Sequence, residues 1–247
     1  CALAIVLQAY LWLFGRFSLS ALLSVPALLV VAASQSRKAI LMIPLGIIIL
    51  LFLKNLGNRS FFKSFFRIVL SLALFAAVLV LISRISIFRG VNERLKTMIA
   101  SFTGEGAADG SSLLRKKMRE VGFAQFLKTP IFGIGIGCSD VLLQHTINRS
   151  TYLHNNYIEL LACGGIVGTA LYYVPRLALL RDFWRSRFLR NRQAIACLTI
   201  LLLLLIMDYG AVAYSEKMQY LYLLMLFVQA DKLRESNHQT LEDGADE

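Results

Sequence analysis

Seven apolar runs decide what this chain can fold into. They cover Cys1–Phe14, Phe17–Ser34, Ala39–Leu53, Ile68–Ser83, Asn156–Pro175, Ala194–Tyr209 and Lys217–Ala230, and none holds more than one charged residue. A helix needs roughly 17–25 apolar residues to cross a bilayer. The shorter runs must therefore extend their ends into the interface. The chain is 57% hydrophobic with a mean hydropathy of +0.64, above the roughly 45–50% apolar content of soluble domains. In hydrocarbon a backbone must satisfy its own hydrogen bonds, which a helix does within one segment. The expected fold is an all-α integral membrane protein, a multi-spanning bundle of seven helices. The first run begins at Cys1 with no polar leader, so the chain reads as a piece whose N-terminus is missing. A signal peptide is the other reading of Cys1–Phe14. No cleavage pattern follows it, and the later spans favour a membrane helix.

The formal charge of +11 raises the question of nucleic acid, but the basic residues sit in short segments between apolar runs. That is the signature of membrane topology rather than of a nucleic-acid surface. Lys54, Arg59, Lys63 and Arg67 form one basic segment, and six arginines between Arg176 and Arg192 form another. Both are expected in the cytoplasm. Alternation then puts the Ser34–Lys38 turn, the segment Arg84–Leu153 and the Asp208–Glu216 turn outside. The resulting plan has membrane helices 1–4 in residues 1–83 and an extracytoplasmic loop over 84–153. Helices 5–7 follow in 154–230, and a disordered, acidic cytoplasmic tail fills 231–247. The four cysteines, Cys1, Cys138, Cys163 and Cys197, have neither zinc nor redox spacing.

The outside segment carries ten Lys/Arg and five Asp/Glu. It is either a solvated loop with surplus cations or an anion-binding surface. Gly104–Ser112 is a flexible stretch. Leu113–Leu127 reads as an amphipathic helix lying along the membrane surface, with Leu114, Met118, Val121, Phe123 and Phe126 alternating with Arg115, Lys116, Lys117 and Arg119. Gly164 and Gly168 offer a close helix-packing face.

Three outside features carry candidate chemistry. Ser36-Arg37-Lys38 opens an apolar helix. Arg115 is followed by Pro130 and then Gly133-Ile134-Gly135-Ile136-Gly137, a turn that would let backbone approach phosphate. His154-Asn155 closes the loop at the start of an apolar run that contains Gly165-Ile166-Val167-Gly168. The bland reading of each is available: His154 as a helix-start residue, Arg37 as a snorkelling flank, Arg115 as a surface cation. A dinucleotide fingerprint is a poor reading of the glycine run, which lacks the strand–turn–helix context.

In order and spacing, Ser-Arg, a loop arginine, Pro-x-x-Gly-x-Gly-x-Gly and His-Asn before Gly-Ile-x-Gly resemble the O-antigen ligase and polysaccharide polymerase superfamily of bacterial membrane glycosyltransferases. The resemblance spans Ser34 to Gly168. The chain departs from it at Arg119, where many relatives have tryptophan. The resemblance implies a GT-C-like bundle in the bacterial cytoplasmic membrane with its active site facing outside. It implies a glycan donor on undecaprenyl pyrophosphate and a glycan acceptor. It assigns catalytic roles to Arg37, Arg115 and His154.

The residue chemistry agrees with those roles. Guanidinium groups bind phosphate oxygens bidentately and stay charged at a low-dielectric boundary. An imidazole ordinarily titrates at about pH 6.5, so a neutral histidine can accept a hydroxyl proton at neutral pH. Lys38, Lys116 and Arg119 are expected to add field at the substrate, and Asn155 to orient His154 or hold the acceptor. The outside acids are scattered, so neither a metal nor another cofactor is expected. Further expected partners are the lipid bilayer and a chain-length regulator or flippase of the same pathway. Polymerase is favoured over ligase because nothing points to a lipid A core acceptor. A lipid-linked-oligosaccharide flippase is the rival. It would place its ionisable residues near the bilayer midplane and show repeat symmetry.

Overall fold

The computed structural model describes residues 37–55, 110–188 and 191–243, with the isolated positions Val6, Val30 and Phe66. The apolar runs Cys1–Phe14, Phe17–Ser34 and Ile68–Ser83 lie almost wholly outside the described residues. All regular structure among the described residues is helical: α1 (Arg37–Asn55), α2 (Gly110–Lys128), α3 (Ser139–Ile147), α4 (Asn156–Phe188), α5 (Arg192–Asp208) and α6 (Lys217–Asp243). The chain divides into two compact units. One takes residues 1–107 and 190–203, the other 108–189 and 204–247.

In the first unit, α1 runs over an unbroken apolar sequence with Pro44 inside it and Lys54 in its last turn, where a cation complements the helix dipole. Val6, Leu50 and Leu203 are buried together, with Met42, Leu45 and Ile49 packed around them. A Cβ on Gly46 would lie 2.5 Å from the Val6 side chain and 3.0 Å from Leu203. Only glycine lets these segments approach so closely.

The second unit is built around the loop segment. Leu114, Met118 and Val121, at i, i+4 and i+7, form the inward stripe of α2. They meet Leu143 of α3 and Leu153, Ala162 and Cys163 in one core, while Arg115, Lys116 and Lys117 are on the outer side, with Lys116 exposed. Leu113–Leu127 is thus helical, and the helix starts three residues earlier and ends one later. α3 ends on Asn148 in the left-handed conformation, with the Asn148 and Arg149 N–H groups returned to the Gln144 and Leu143 carbonyls. This is the usual way to close a helix C-terminus.

Among the described residues one helix, Asn156–Ser186, is long and apolar enough to cross a membrane. It is not straight. Gly165 has φ 61° and ψ −162°, which breaks α4 into arms of residues 156–164 and 166–188. On a continuous helix Asn156 and Tyr173 would be about 25 Å apart. Instead Asn156 Nδ2 donates to the Tyr173 hydroxyl at 3.0 Å, and the Tyr157 and Tyr173 rings stack with centroids 4.9 Å apart. The first arm therefore folds back along the second. At nine residues it spans about 13 Å, too short to cross a bilayer. The apolar helix expected directly behind His154 is therefore present but broken at Gly165, and its first arm packs with α2 and α3.

The break strands two carbonyls and two N–H groups, and buried backbone groups need partners. The proline–glycine segment supplies them. Pro130 and Ile131 carbonyls accept from the N–H groups of Ile166 (2.8 Å) and Val167 (3.2 Å), and Ile134 and Gly135 N–H groups donate to Ala162 (3.1 Å) and Cys163 (2.9 Å). The fit is backbone to backbone. A Cβ on Gly133 would stand 2.4 Å from the Cys163 carbonyl carbon, and one on Gly165 2.3 Å from the Ile131 oxygen. The glycine run thus clasps the helix break, and the amides of Ile134 and Gly135 are not available to phosphate.

α6 continues as helix through Asp243, where the sequence suggested a disordered tail from residue 231. Arg234 of α6 pairs with Asp182 of the second arm.

Candidate functional site

His154 stands between the loop and α4 with φ 56°. A non-glycine residue in the left-handed region is uncommon and costs of order 1 kcal/mol or more, so something must hold it there. Both neighbours are fixed. Before it, the Leu153 N–H donates to Glu159 Oε2 at 2.8 Å. After it, Asn155 caps the helix: its Oδ1 accepts from the Ile158 N–H at 3.0 Å and its Nδ2 donates to the Tyr209 carbonyl at 3.1 Å. The His154 ring packs on Tyr152, with centroids 4.3 Å apart.

Asn156, 0% exposed, pins a second loop to this junction. Its Oδ1 accepts from the N–H groups of Ala213 (2.8 Å) and Tyr214 (3.0 Å), and its Nδ2 lies 3.3 Å from Asp208 Oδ2. Asp208, 1% exposed, also accepts from the Tyr173 hydroxyl (3.0 Å) and from Gln219 Nε2 (3.0 Å). A buried carboxylate is costly unless its oxygens are satisfied, and three donors satisfy this one. The turn between α5 and α6 is thereby locked to the start of α4.

The locked turn and the loop line an open cavity of about 330 Å³, which Tyr152, packed on the His154 ring, borders. Tyr152 and Tyr214 line it, with Ser139 and the carboxylates of Asp140, Glu159 and Glu216. Ser139 Oγ donates to Glu159 Oε1, so Glu159 ties the cavity wall to the backbone just before His154. Burial and the nearby Glu159 charge push the Tyr214 phenol above its ordinary value. It stays a neutral hydroxyl. A second cavity of about 570 Å³, mostly apolar, runs between the second arm of α4 and α6 and shares Tyr214 with the first.

A family model described as O-antigen ligase matches residues 19–173. The chain belongs to that family. A search among curated proteins finds no match. Family membership gives the chain an O-antigen ligase- or polymerase-type function, that of a bacterial membrane glycosyltransferase acting on lipid-linked glycan. The matched region contains Arg37, Lys38, Arg115, Lys116, Arg119, His154 and Asn155.

Five of these residues, Arg115, Lys116, Arg119, His154 and Asn155, belong to one unit. Arg119 approaches the junction through Tyr209. Its guanidinium carbon lies 5.8 Å from the centroid of Tyr209, whose carbonyl holds Asn155. Arg115 precedes it by four residues, hence on the same face of α2. Gly122 at the end of that stripe would drive a Cβ into Leu153 (2.6 Å) and Ile158 (2.7 Å), so α2 passes close to the loop that carries His154. Arg115 then lies about 10 Å along the axis from that contact, with an extended side chain to cover part of the distance. Lys116 is exposed one position round. Arg37 and Lys38 open α1 in the other unit. Asn155 is buried with both ends of its amide engaged in the fold.

Sequence reasoning left Glu159, Asp208 and Asn156 without roles. Glu159 and Asp208 are lone acids in apolar runs, a signal in itself, since a carboxylate there needs dedicated partners. Arg176, which in sequence opens the basic segment that follows it, is buried. It is 5% exposed, with its guanidinium carbon 3.4 Å from the Tyr172 ring centroid. Tyr172 donates to Gln219 at the head of α6 at 2.8 Å. Arg176 therefore sits one helical turn beyond Tyr172, the residue that bonds Gln219.

Proposed function

We propose that the chain transfers a glycan from undecaprenyl pyrophosphate to a sugar hydroxyl at the outer face of the cytoplasmic membrane, as a polysaccharide polymerase. The observation that carries this reading is His154, held in a left-handed conformation with its ring against Tyr152, which lines a cavity of hydroxyls and carboxylates. The acceptor oxygen attacks the anomeric carbon of the donor sugar. The bond from that carbon to the pyrophosphate oxygen breaks, and the pyrophosphate leaves with the electron pair. His154 takes the acceptor's proton. Arg115 and Arg37 bind the pyrophosphate and stabilise the charge that builds on it. Lys38, Lys116 and Arg119 add to the field.

The test is glycan transfer by purified full-length protein supplied with a lipid-pyrophosphate-linked repeat unit. General-base assistance is worth about 10²–10⁴-fold, so His154→Ala should lose at least 10²-fold in rate. Arg115→Ala should also fall sharply. Wild-type output from His154→Ala would remove the mechanism. The description of the matched family favours a second reading, ligation to a lipid A core acceptor. The same assay with that acceptor in place of a second repeat unit separates the two.

A further inference from the structure

We infer that the cavity lined by Tyr152 and Glu159, the residues that contact His154 and its preceding backbone, is the acceptor-sugar subsite, and that it selects a neutral or amino sugar against an acidic one. The inference rests on the transferase reading above, but its physical basis is the cavity itself. At about 330 Å³ it falls at the low end of small-molecule sites, roughly 300–1,000 Å³, which suits one sugar residue with its neighbour reaching solvent. Its chemistry is that of a polyol site. Serine and threonine hydroxyls both donate and accept, ionised carboxylates accept from sugar hydroxyls, and Tyr152 and Tyr214 add aromatic residues with phenol groups to the lining. Asn156 holds the backbone at Ala213 and Tyr214, and Ser139 with Glu159 forms a fixed wall.

The charge pattern sets the selectivity. Asp140, Glu159 and Glu216 line the cavity, and its described lining contains neither Lys, Arg nor His. A pyrophosphate or a uronate carboxylate there would face three acids without a counter-ion, which disfavours it at short range. Arg115, Lys116, Lys117 and Arg119 lie on α2 and are not in the lining, and neither are Arg149 and Lys217, which adjoin lining residues in sequence. The site is therefore divided, with the anionic leaving group towards the arginines and the uncharged or cationic sugar in the acidic cavity. Glu159 acts as a positioning residue, since its other oxygen holds the Leu153 N–H and so the backbone at His154.

The experiment measures binding of three probes to the full-length protein in lipid nanodiscs: the methyl glycosides of glucosamine, glucose and glucuronic acid, by saturation-transfer NMR with titration. The expected order is glucosamine, then glucose, then glucuronic acid, with at least a tenfold gap between the first and last. Asp140 and Glu216 are exposed, so Asp140→Asn with Glu216→Gln should fold and should close most of that gap. Asp140→Lys with Glu216→Lys should invert it. Equal binding of glucuronide and glucosaminide to the wild type overturns the inference. So does an unchanged ratio in the neutral pair, or saturation of none of the three probes. Failure here with glycan transfer intact discards the subsite and leaves the transferase reading. Selective binding without any transfer does the reverse.

Discussion

At the scale of single residues, two glycines in the second unit differ in what they hold together. Gly165 has a backbone conformation open essentially to glycine alone, and a Cβ there would sit 2.3 Å from the Ile131 carbonyl oxygen. Gly137 also has a positive φ, 83°, yet a Cβ on it would meet nothing within 4 Å. Gly165→Ala must bear both backbone strain and overpacking, each about 1–3 kcal/mol, or about 4 kcal/mol together. Gly137→Ala bears only the strain, about 1 kcal/mol. Thermal unfolding of the detergent-solubilised protein, followed by tryptophan fluorescence, should show a large drop in Tm for the first and a small one for the second. Equal drops would mean that the clasp between residues 130–135 and the helix break contributes little to stability. His154 is the residue-scale counterpart at the site. Its place in the motif is legible in sequence, but its left-handed backbone is not, because that depends on Glu159 and Asn155 gripping the chain on either side of it.

At the scale of elements, the inward stripe of α2 was readable because the i, i+4, i+7 spacing of Leu114, Met118 and Val121 is local. The fold-back of α4 was not. Asn156–Pro175 is one apolar run, and hydropathy does not distinguish a straight span from two arms. What stabilises the break comes from residues 130–135, some thirty positions earlier, through main-chain groups that have no side-chain signature. The acids Glu159 and Asp208 were visible as anomalies, but their partners Ser139, Leu153, Tyr173 and Gln219 are spread over four segments. The fold-back has a direct test. On a straight helix residues 157 and 173 are about 24 Å apart; here their rings stack at 4.9 Å. In a background with the native cysteines replaced by alanine, Tyr157→Cys with Tyr173→Cys should be joined by a thiol cross-linker reaching less than half of that straight-helix distance. Leu171→Cys with Arg185→Cys, both on the second arm and about 21 Å apart, should not. Mass spectrometry of the digested protein reads both. Absence of the 157–173 link with efficient labelling of each cysteine would restore the straight span.

At the scale of the whole molecule, family membership explains why the loop segment is the most elaborately built part of the described chain. Helices α2 and α3 and the first arm of α4 share one core, and the acidic cavity and the cationic face of α2 both belong to the unit they build. Such a unit fits chemistry at a membrane surface, where a lipid anchor holds the leaving group and the sugar projects into water. That arrangement demands that the loop unit and the arginines beyond Arg176 face opposite sides of the membrane. Lys116 on α2 and Arg185 on the second arm of α4 are both exposed, so cysteines placed there report the side without disturbing the core. The arm between Gly165 and Arg185 is about 30 Å long, the thickness of the hydrocarbon layer, and it is the element that would carry the chain across. In a cysteine-free background, Lys116→Cys should react with a membrane-impermeant maleimide in intact spheroplasts. Arg185→Cys should react only after the membrane is permeabilised. Labelling of both positions from the outside would mean that the second arm does not cross, and the seven-helix topology with an outward-facing His154 would have to be abandoned. Labelling of Arg185→Cys alone in intact spheroplasts would invert the topology. It would put the candidate site in the cytoplasm, where a glycan already displayed on the outer leaflet is out of its reach.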